Sequence, residues 1–293
     1  MSTNTSTSTG ANTGTVKHPA DASARAAASV TTRSGLSFVG VLRSEWIKLW
    51  SLRSTVWSFA LVLAVSVGMA LLMSMATQMD QSGAVLTPDS KIGIVVTAAT
   101  VGIFFAQMIV AVLGVMAVTG EYSTGMIKSS LTAVPKRLPM LAGKAIVVFV
   151  ATYLVGLGSI LASYLVASPI LAQRDIGASL AEPEMLRGLF AGPLFLALIA
   201  VFALGLGTIF RSTAGGIATA LGILLVLPIV LALIPAEWAV TATPYLIGNA
   251  GPEIVSPSGF SAIEEGWQNL LVVIGWVAVS TVIGAVLLKR RDA

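Results

Sequence analysis

The chain has 293 residues, 56% hydrophobic and only 10% charged, with a net charge of +4 at pH 7 and a mean hydropathy of +0.90. Soluble domains carry about 25% charged residues, so this composition excludes a water-soluble enzyme and places the chain in a bilayer. No cysteine is present and the one histidine, His18, stands near the N-terminus, which excludes a disulfide framework and a thiolate metal site.

Residues 1–35 are rich in Ser, Thr, Ala, Gly and Asn and poor in anything that forms a core. They read as a disordered cytoplasmic tail. No apolar h-region precedes Thr55, so they are not a secretory signal, although a Ser-rich, acid-poor start also fits an organelle transit peptide.

Residues 36–54 follow, with "VGVLRSEWIKLWSLRS" at their centre. On a helix at about 100° per residue, Val39, Leu42, Trp46, Leu49 and Trp50 share one face and Ser44, Glu45, Lys48 and Ser51 the other. Val41 and Leu52 are exceptions on the polar side. Tryptophans and basic residues suit the headgroup region, so an amphipathic interfacial helix is expected. A simple membrane-proximal anchor would carry the same pattern.

A bilayer core of about 30 Å needs roughly 20 apolar helical residues. Six such runs lie within 55–288, at about 55–75, 92–118, 145–166, 189–209, 214–233 and 270–288. The short alternating segments of a transmembrane barrel are absent, so the expected fold is an all-α integral membrane protein with six transmembrane helices. With the N-terminus cytoplasmic, eleven basic residues near the membrane fall inside: Arg43, Lys48, Arg53, Lys128, Lys136, Arg137, Lys144, Arg211, Lys289, Arg290 and Arg291. Three, Lys91, Arg174 and Arg187, fall outside. This positive-inside bias predicts that both termini are cytoplasmic, with 289–293 a basic C-terminal end. It also accounts for the net positive charge without nucleic acid as a partner.

The loop 119–144 between the second and third runs is polar, basic and punctuated by glycine. Its stretch "STGMIKSSL" fits a short helix with Ser123 or Thr124 as N-cap and Met126, Ile127 and Leu131 on an apolar side; Pro135 would open the next helix. A solvated loop with ordinary turns has the same composition, and both readings stand. Glu121, where the second run ends, has Lys128 or Arg211 as candidate partners within the chain.

The runs themselves hold no Asp, Glu, Lys or Arg. Their polar residues include Gln107, Ser66, Thr100, Thr152, Ser159, Ser163, Thr208, Thr219 and Ser280, better read as helix-to-helix hydrogen bonds than as ligand contacts. Gly188-x-x-x-Gly192, Ala218-x-x-x-Gly222, Gly205-x-Gly207 and Gly215-Gly216 allow close helix approach, while Pro193 and Pro228 should kink their runs unless neighbours satisfy the freed carbonyls. Segment 235–266, on the outer side, is too long for a simple turn and is broken by Pro244, Gly248, Gly251 and Pro252.

A phosphate-binding G-x-x-x-x-G-K-[ST] loop is absent, as is H-E-x-x-H, so neither ATP hydrolysis nor metalloprotease chemistry is expected of this chain. No bound cofactor is expected either.

"SEWIKLWSLRST" before the first run and "TGEYSTGMIKSSL" after the second together resemble the membrane subunit, or permease, of an ABC-2 type ATP-binding-cassette exporter of the kind common in actinobacteria. The resemblance implies a connecting helix at 36–54, carried by Glu45, Trp46, Lys48 and Trp50. It implies a coupling loop carried by Glu121, Tyr122, Gly125, Met126, Ile127 and Leu131, and a re-entrant cap over 235–266. It further implies two ATPase subunits holding ATP and Mg, a second permease of the same or similar kind, contact with membrane lipid, and a bacterial plasma membrane location. No substrate-binding residue follows from it. An ion-gradient-driven carrier or a non-transporting assembly subunit is the alternative, disfavoured by the lack of charge within the runs.

Overall fold

A computed structural model of the chain describes residues 1–3, 38–79, 87–123, 137–255 and 266–290. By contacts the chain divides into Met1–Ser37 and Phe38–Ala293, and the second unit is the membrane body described below. The expected N-terminal tail, apart from its first three residues, lies outside the described residues, as do Gly125, Met126, Ile127 and Leu131 of the expected coupling loop.

The long apolar runs become helices because in lipid each backbone N–H and C=O must be satisfied within the segment. In chain order the helices are α1 (Phe38–Ser51), α2 (Arg53–Met79), α3 (Pro88–Thr100), α4 (Ile103–Ser123), α5 (Arg137–Ala172), α6 (Pro183–Phe210) and α7 (Thr213–Leu221). A π-helical turn, Gly222–Val226, joins α7 to α8 (Leu227–Ala232). Then come α9 (Glu237–Ala242), a 3₁₀ turn over Thr243–Tyr245, α10 (Ile247–Val255) and α11 (Gly266–Arg290). Among the described residues there is no strand. Among the described residues, six segments are long and apolar enough to cross a membrane: Arg53–Thr77, Pro88–Tyr122, Leu138–Ala172, Pro183–Phe210, Thr213–Ala232 and Trp267–Arg290.

The fourth span, α6, is the axis of the bundle. Its most apolar window is 72% buried, against 17% for the fifth and sixth spans. It packs on α4, α5 and α11, with Phe195, Leu196, Ile199 and Phe202 fully enclosed. Small residues set the spacing: at Gly114 of α4 a β-carbon would collide with the Ala200 carbonyl of α6, and at Gly207 it would lie 2.7 Å from Val118. Close helix contact of this kind is the main source of association where lipid is as apolar as the side chains.

The second span is broken at Val101–Gly102, between α3 and α4, where Gly102 lies directly on the Ser66 backbone of α2. The fifth span is also irregular. Pro228 cannot donate to the Leu224 carbonyl one turn back, and the chain accommodates this with the π-turn. The freed carbonyl faces Gly248 of α10, where a β-carbon would sit 2.6 Å away.

The polar residues of the spans behave differently from the sequence expectation. Thr100, Ser159, Thr208 and Thr219 each donate to the carbonyl four residues earlier in their own helix rather than across to a neighbour. A short hydroxyl side chain reaches its own preceding turn without any partner, which is why it is tolerated in lipid.

Within 235–266, α9, the 3₁₀ turn and α10 form a compact helical segment at the end of the bundle opposite α1. Ile247, Ala250, Ile254 and Val255 are buried against α6 and α11. Gly251 stacks directly on the Phe195 ring, and Arg187 Nε donates to the Ile254 carbonyl at 2.9 Å.

Candidate functional site

At the other end of the bundle, α1 lies along the first turns of α5. Gly143 makes this approach possible, since a β-carbon there would lie 2.9 Å from the Val41 side chain. The residues turned inward from α1 are Val41, Glu45 and Leu49. This inward side draws on both expected faces: Glu45 comes from the polar one, Leu49 from the apolar one, and Val41 is one of the two exceptions. Trp46 and Trp50 stay exposed, with ring centroids 6.1 Å apart, and Trp50 packs on Phe59 at 5.7 Å. Trp46 and Trp50 of the apolar face are left at the surface, as are Ser44 and Ser51 of the polar one, while Glu45 packs inward beside Leu49 because the acid finds cations there.

Those cations are Lys48 and Lys144. Lys144 Nζ lies 2.6 Å from Glu45 Oε2 and 2.9 Å from Glu121 Oε1. Lys48 Nζ lies 2.8 Å from Glu45 Oε1 and 3.2 Å from Glu121 Oε1. Two acids and two bases thus alternate around a ring drawn from α1, the end of α4 and the second turn of α5. Glu45, Glu121 and Lys144 have side chains only 3%, 9% and 6% exposed, and Lys48 is 34% exposed. The ring is neutral as a whole, which makes burial of its members tolerable, and removal of any one leaves a charge uncompensated.

Glu45 shows the balance directly. Burial opposes its ionisation, but the attraction and hydrogen bond of Lys144, aided by Lys48, prevail and hold the carboxyl below its ordinary range. Burial likewise opposes the charge on Lys48, and the hydrogen bond it donates to Glu45 together with the field of Glu121 outweighs it and raises the ammonium. Glu121 Oε2 is buried and accepts no hydrogen bond among the described residues. A cavity of about 220 Å³ adjoins the ring, lined elsewhere by Leu49, Leu52, Met116, Ala117, Val147 and Val148.

One of the two partners expected for Glu121 within the chain is corrected by this geometry. Lys128 lies outside the described residues, and Arg211 faces the next residue instead: its guanidinium carbon stands 5.4 Å from the centre of the Tyr122 ring. Arg211 ends α6 in the left-handed conformation, φ 53°, which costs a non-glycine residue about 1–2 kcal/mol. Ser212 immediately caps α7 through Gly215 N–H, and Thr213 donates to Thr119 Oγ1 at 2.9 Å.

Of the candidate residues, the structure brings Glu45, Lys48 and Glu121 into one site, places Tyr122 beside it, and sets Trp46 and Trp50 on the outer face. Lys144 was missed as a site residue and counted only for orientation. Its signal was present: a lysine beside Gly143 and on the same helical side as Leu141, Val147 and Val148 sits on an apolar face, where it needs an acid.

A model of the family described as "ABC-2 family transporter protein" matches residues 40–293, which takes in all but the first two residues of α1, the ion-pair ring and the six spans. The chain belongs to the ABC-2 transporter family. None of the curated proteins compared with it matches. As an ABC-2 permease it is a multi-pass membrane protein, in bacteria a plasma-membrane one, and its family is one of membrane subunits, normally without catalytic activity. Within this permease, the ring ties α1 to the two helices that bracket 124–136, the segment to which the motif resemblance assigns coupling.

Proposed function

We propose that this permease exports its substrate with energy from ATP hydrolysed by two partner ATPase subunits, alongside a second permease of the same or similar kind. The observation that carries the reading is the buried ring. It makes α1, the exit of α4 and the entry of α5 one rigid unit at the end of the bundle where the basic residues gather. A force applied by an ATPase to α1 or to the loop is thereby shared by the second and third spans. On this reading that end is cytoplasmic, Glu121 and Tyr122 anchor the loop, and Gly125, Met126, Ile127 and Leu131 supply its contact with the ATPase. The largely unburied fifth and sixth spans leave apolar surface for lipid and for the second permease. The α9–α10 segment closes the pathway at the outer end. A lining of apolar and hydroxyl groups selects by shape, so drugs, peptide antibiotics and lipids share the required chemistry.

Affinity purification of the chain from native membranes tests this. The expected result is a co-purifying ATPase, lost with Ile127→Asp, which sets a charge in the contact, while the permease still inserts. ATP hydrolysis by the chain after its partner is stripped away would overturn the division of labour. Cysteines introduced at exposed Ser212 and Ser179 check the orientation. An impermeant thiol reagent should label Ser179→Cys from outside intact cells and leave Ser212→Cys untouched.

A further inference from the structure

The turn between α6 and α7 lies outside the ion-pair ring yet grips the same stretch of α4 from the other side. Glu121 reaches α1 and α5, while Tyr122 reaches Arg211. One turn earlier, Thr119 accepts from Thr213 and itself donates to the Val115 carbonyl at 3.0 Å. Below these, Gly207 of α6 and Gly216 of α7 both close on Val115, where a β-carbon would lie 3.0 Å from its carbonyl oxygen and 2.7 Å from its Cγ1 respectively. Arg211 holds a left-handed backbone that glycine would adopt without strain. Its presence is therefore not explained by the turn, and its guanidinium places a cation over the Tyr122 ring.

We infer that the Arg211–Ser212 turn is a second transmission contact, with Arg211 as its positioning residue. The end of the second span and the start of the fifth move as one body, so that displacement of the loop is delivered to the fifth span as well as to α1. The fifth span suits that part. It is among the least buried of the six, it contains the π-turn, and its Leu224 carbonyl meets Gly248 of the opposite cap. This inference rests on the proposal that an ATPase drives the loop.

The cysteine-free chain permits a test that needs no known substrate. Leu233→Cys, exposed at the far end of the fifth span, serves as reporter, and its rate of thiol labelling is measured in native membranes with and without MgATP and vanadate. The rate is expected to change by about fivefold or more, the lower end of ordinary coupling between sites. Arg211→Gly relaxes the backbone and should keep the fold and the ATPase but lose this response, whereas Arg211→Lys should keep it. Adding Thr119→Cys and Thr213→Cys to Arg211→Gly, and oxidising that pair to a disulfide, should restore the response. A response that survives Arg211→Gly, or a disulfide that fails to restore it, overturns the inference. So does an unresponsive Leu233→Cys parent that retains its ATPase. Absence of any co-purifying ATPase from the parent instead overturns the functional proposal beneath it.

Discussion

At one end of the bundle α1 is held by two ion pairs, Lys144–Glu45 and Lys48–Glu121, within a ring that Lys48–Glu45 and Lys144–Glu121 close; at the other, α10 is held by glycine and aromatic packing, with Gly251 on Phe195 and Gly248 on Leu224. Both attachments bury their contacts, but they answer differently to force and to solvent. Ion pairs join elements from three places in the chain with definite partners and can be re-paired by an incoming charge. Close-packed apolar surfaces resist any change of shape. A permease that receives work at one end and seals at the other would use the two in that arrangement.

The comparison is broken most severely by leaving one charge of the ring alone. Lys144→Met strands Glu45 and Glu121 with only the partly exposed Lys48 between them, and the expected loss is about 3–5 kcal/mol, read as a fall in the melting temperature of the detergent-solubilised protein. The packed end should be sensitive to size. Gly251→Leu has no room beside the fully buried Phe195, and overpacking should cost about 1–3 kcal/mol by the same measurement.

Acidity sharpens the contrast, because only the ion-paired end should respond to it through Glu45 and Lys48. The folded pKa of Glu45 lies below its ordinary 4.5, so its contribution is complete above that value and is lost as pH falls through the lowered one. Lys48 lies above its ordinary 10.5, so its contribution is complete below that value and is lost as pH rises through the raised one. Between the two the contribution of this pair should be flat. Below pH 4.5 the stability difference between the parent and Glu45→Gln should shrink, while that between the parent and Gly251→Leu should not. The smallest effect is expected at Trp46→Ala. It removes an exposed ring contact worth about 0.5–1.5 kcal/mol, and tryptophan-fluorescence melting should show at most that loss.

The six spans were legible because lipid demands uninterrupted apolar length, and length can be counted. The break at Val101–Gly102 was not legible. The residues on either side are as apolar as the rest, and the interruption goes with the crossing of α2 at Ser66, a neighbour no periodicity names. For α1, periodicity divided apolar from polar residues but not buried from exposed ones: Leu49 and Glu45, assigned to opposite faces, both turn inward. Glu45 turned inward because Lys144, 99 residues away, was there to receive it. At Glu121 an acid–base pairing was expected and is found, but with Lys48 and Lys144 rather than with Arg211. Successive helical residues diverge by about 100°, so Glu121 and Tyr122 serve different neighbours, and Arg211 belongs to the second of them.

The most direct test of the ring as the link between drive and pathway is the charge-balanced double variant Glu45→Gln/Lys144→Met. Lys48 and Glu121 remain paired, so the fold and the co-purifying ATPase should survive, but α1 loses its tie to α5. With Leu233→Cys as reporter, the change in labelling rate on adding MgATP and vanadate should fall by about fivefold or more relative to the parent. An undiminished response in the folded, ATPase-bound double variant would contradict the account.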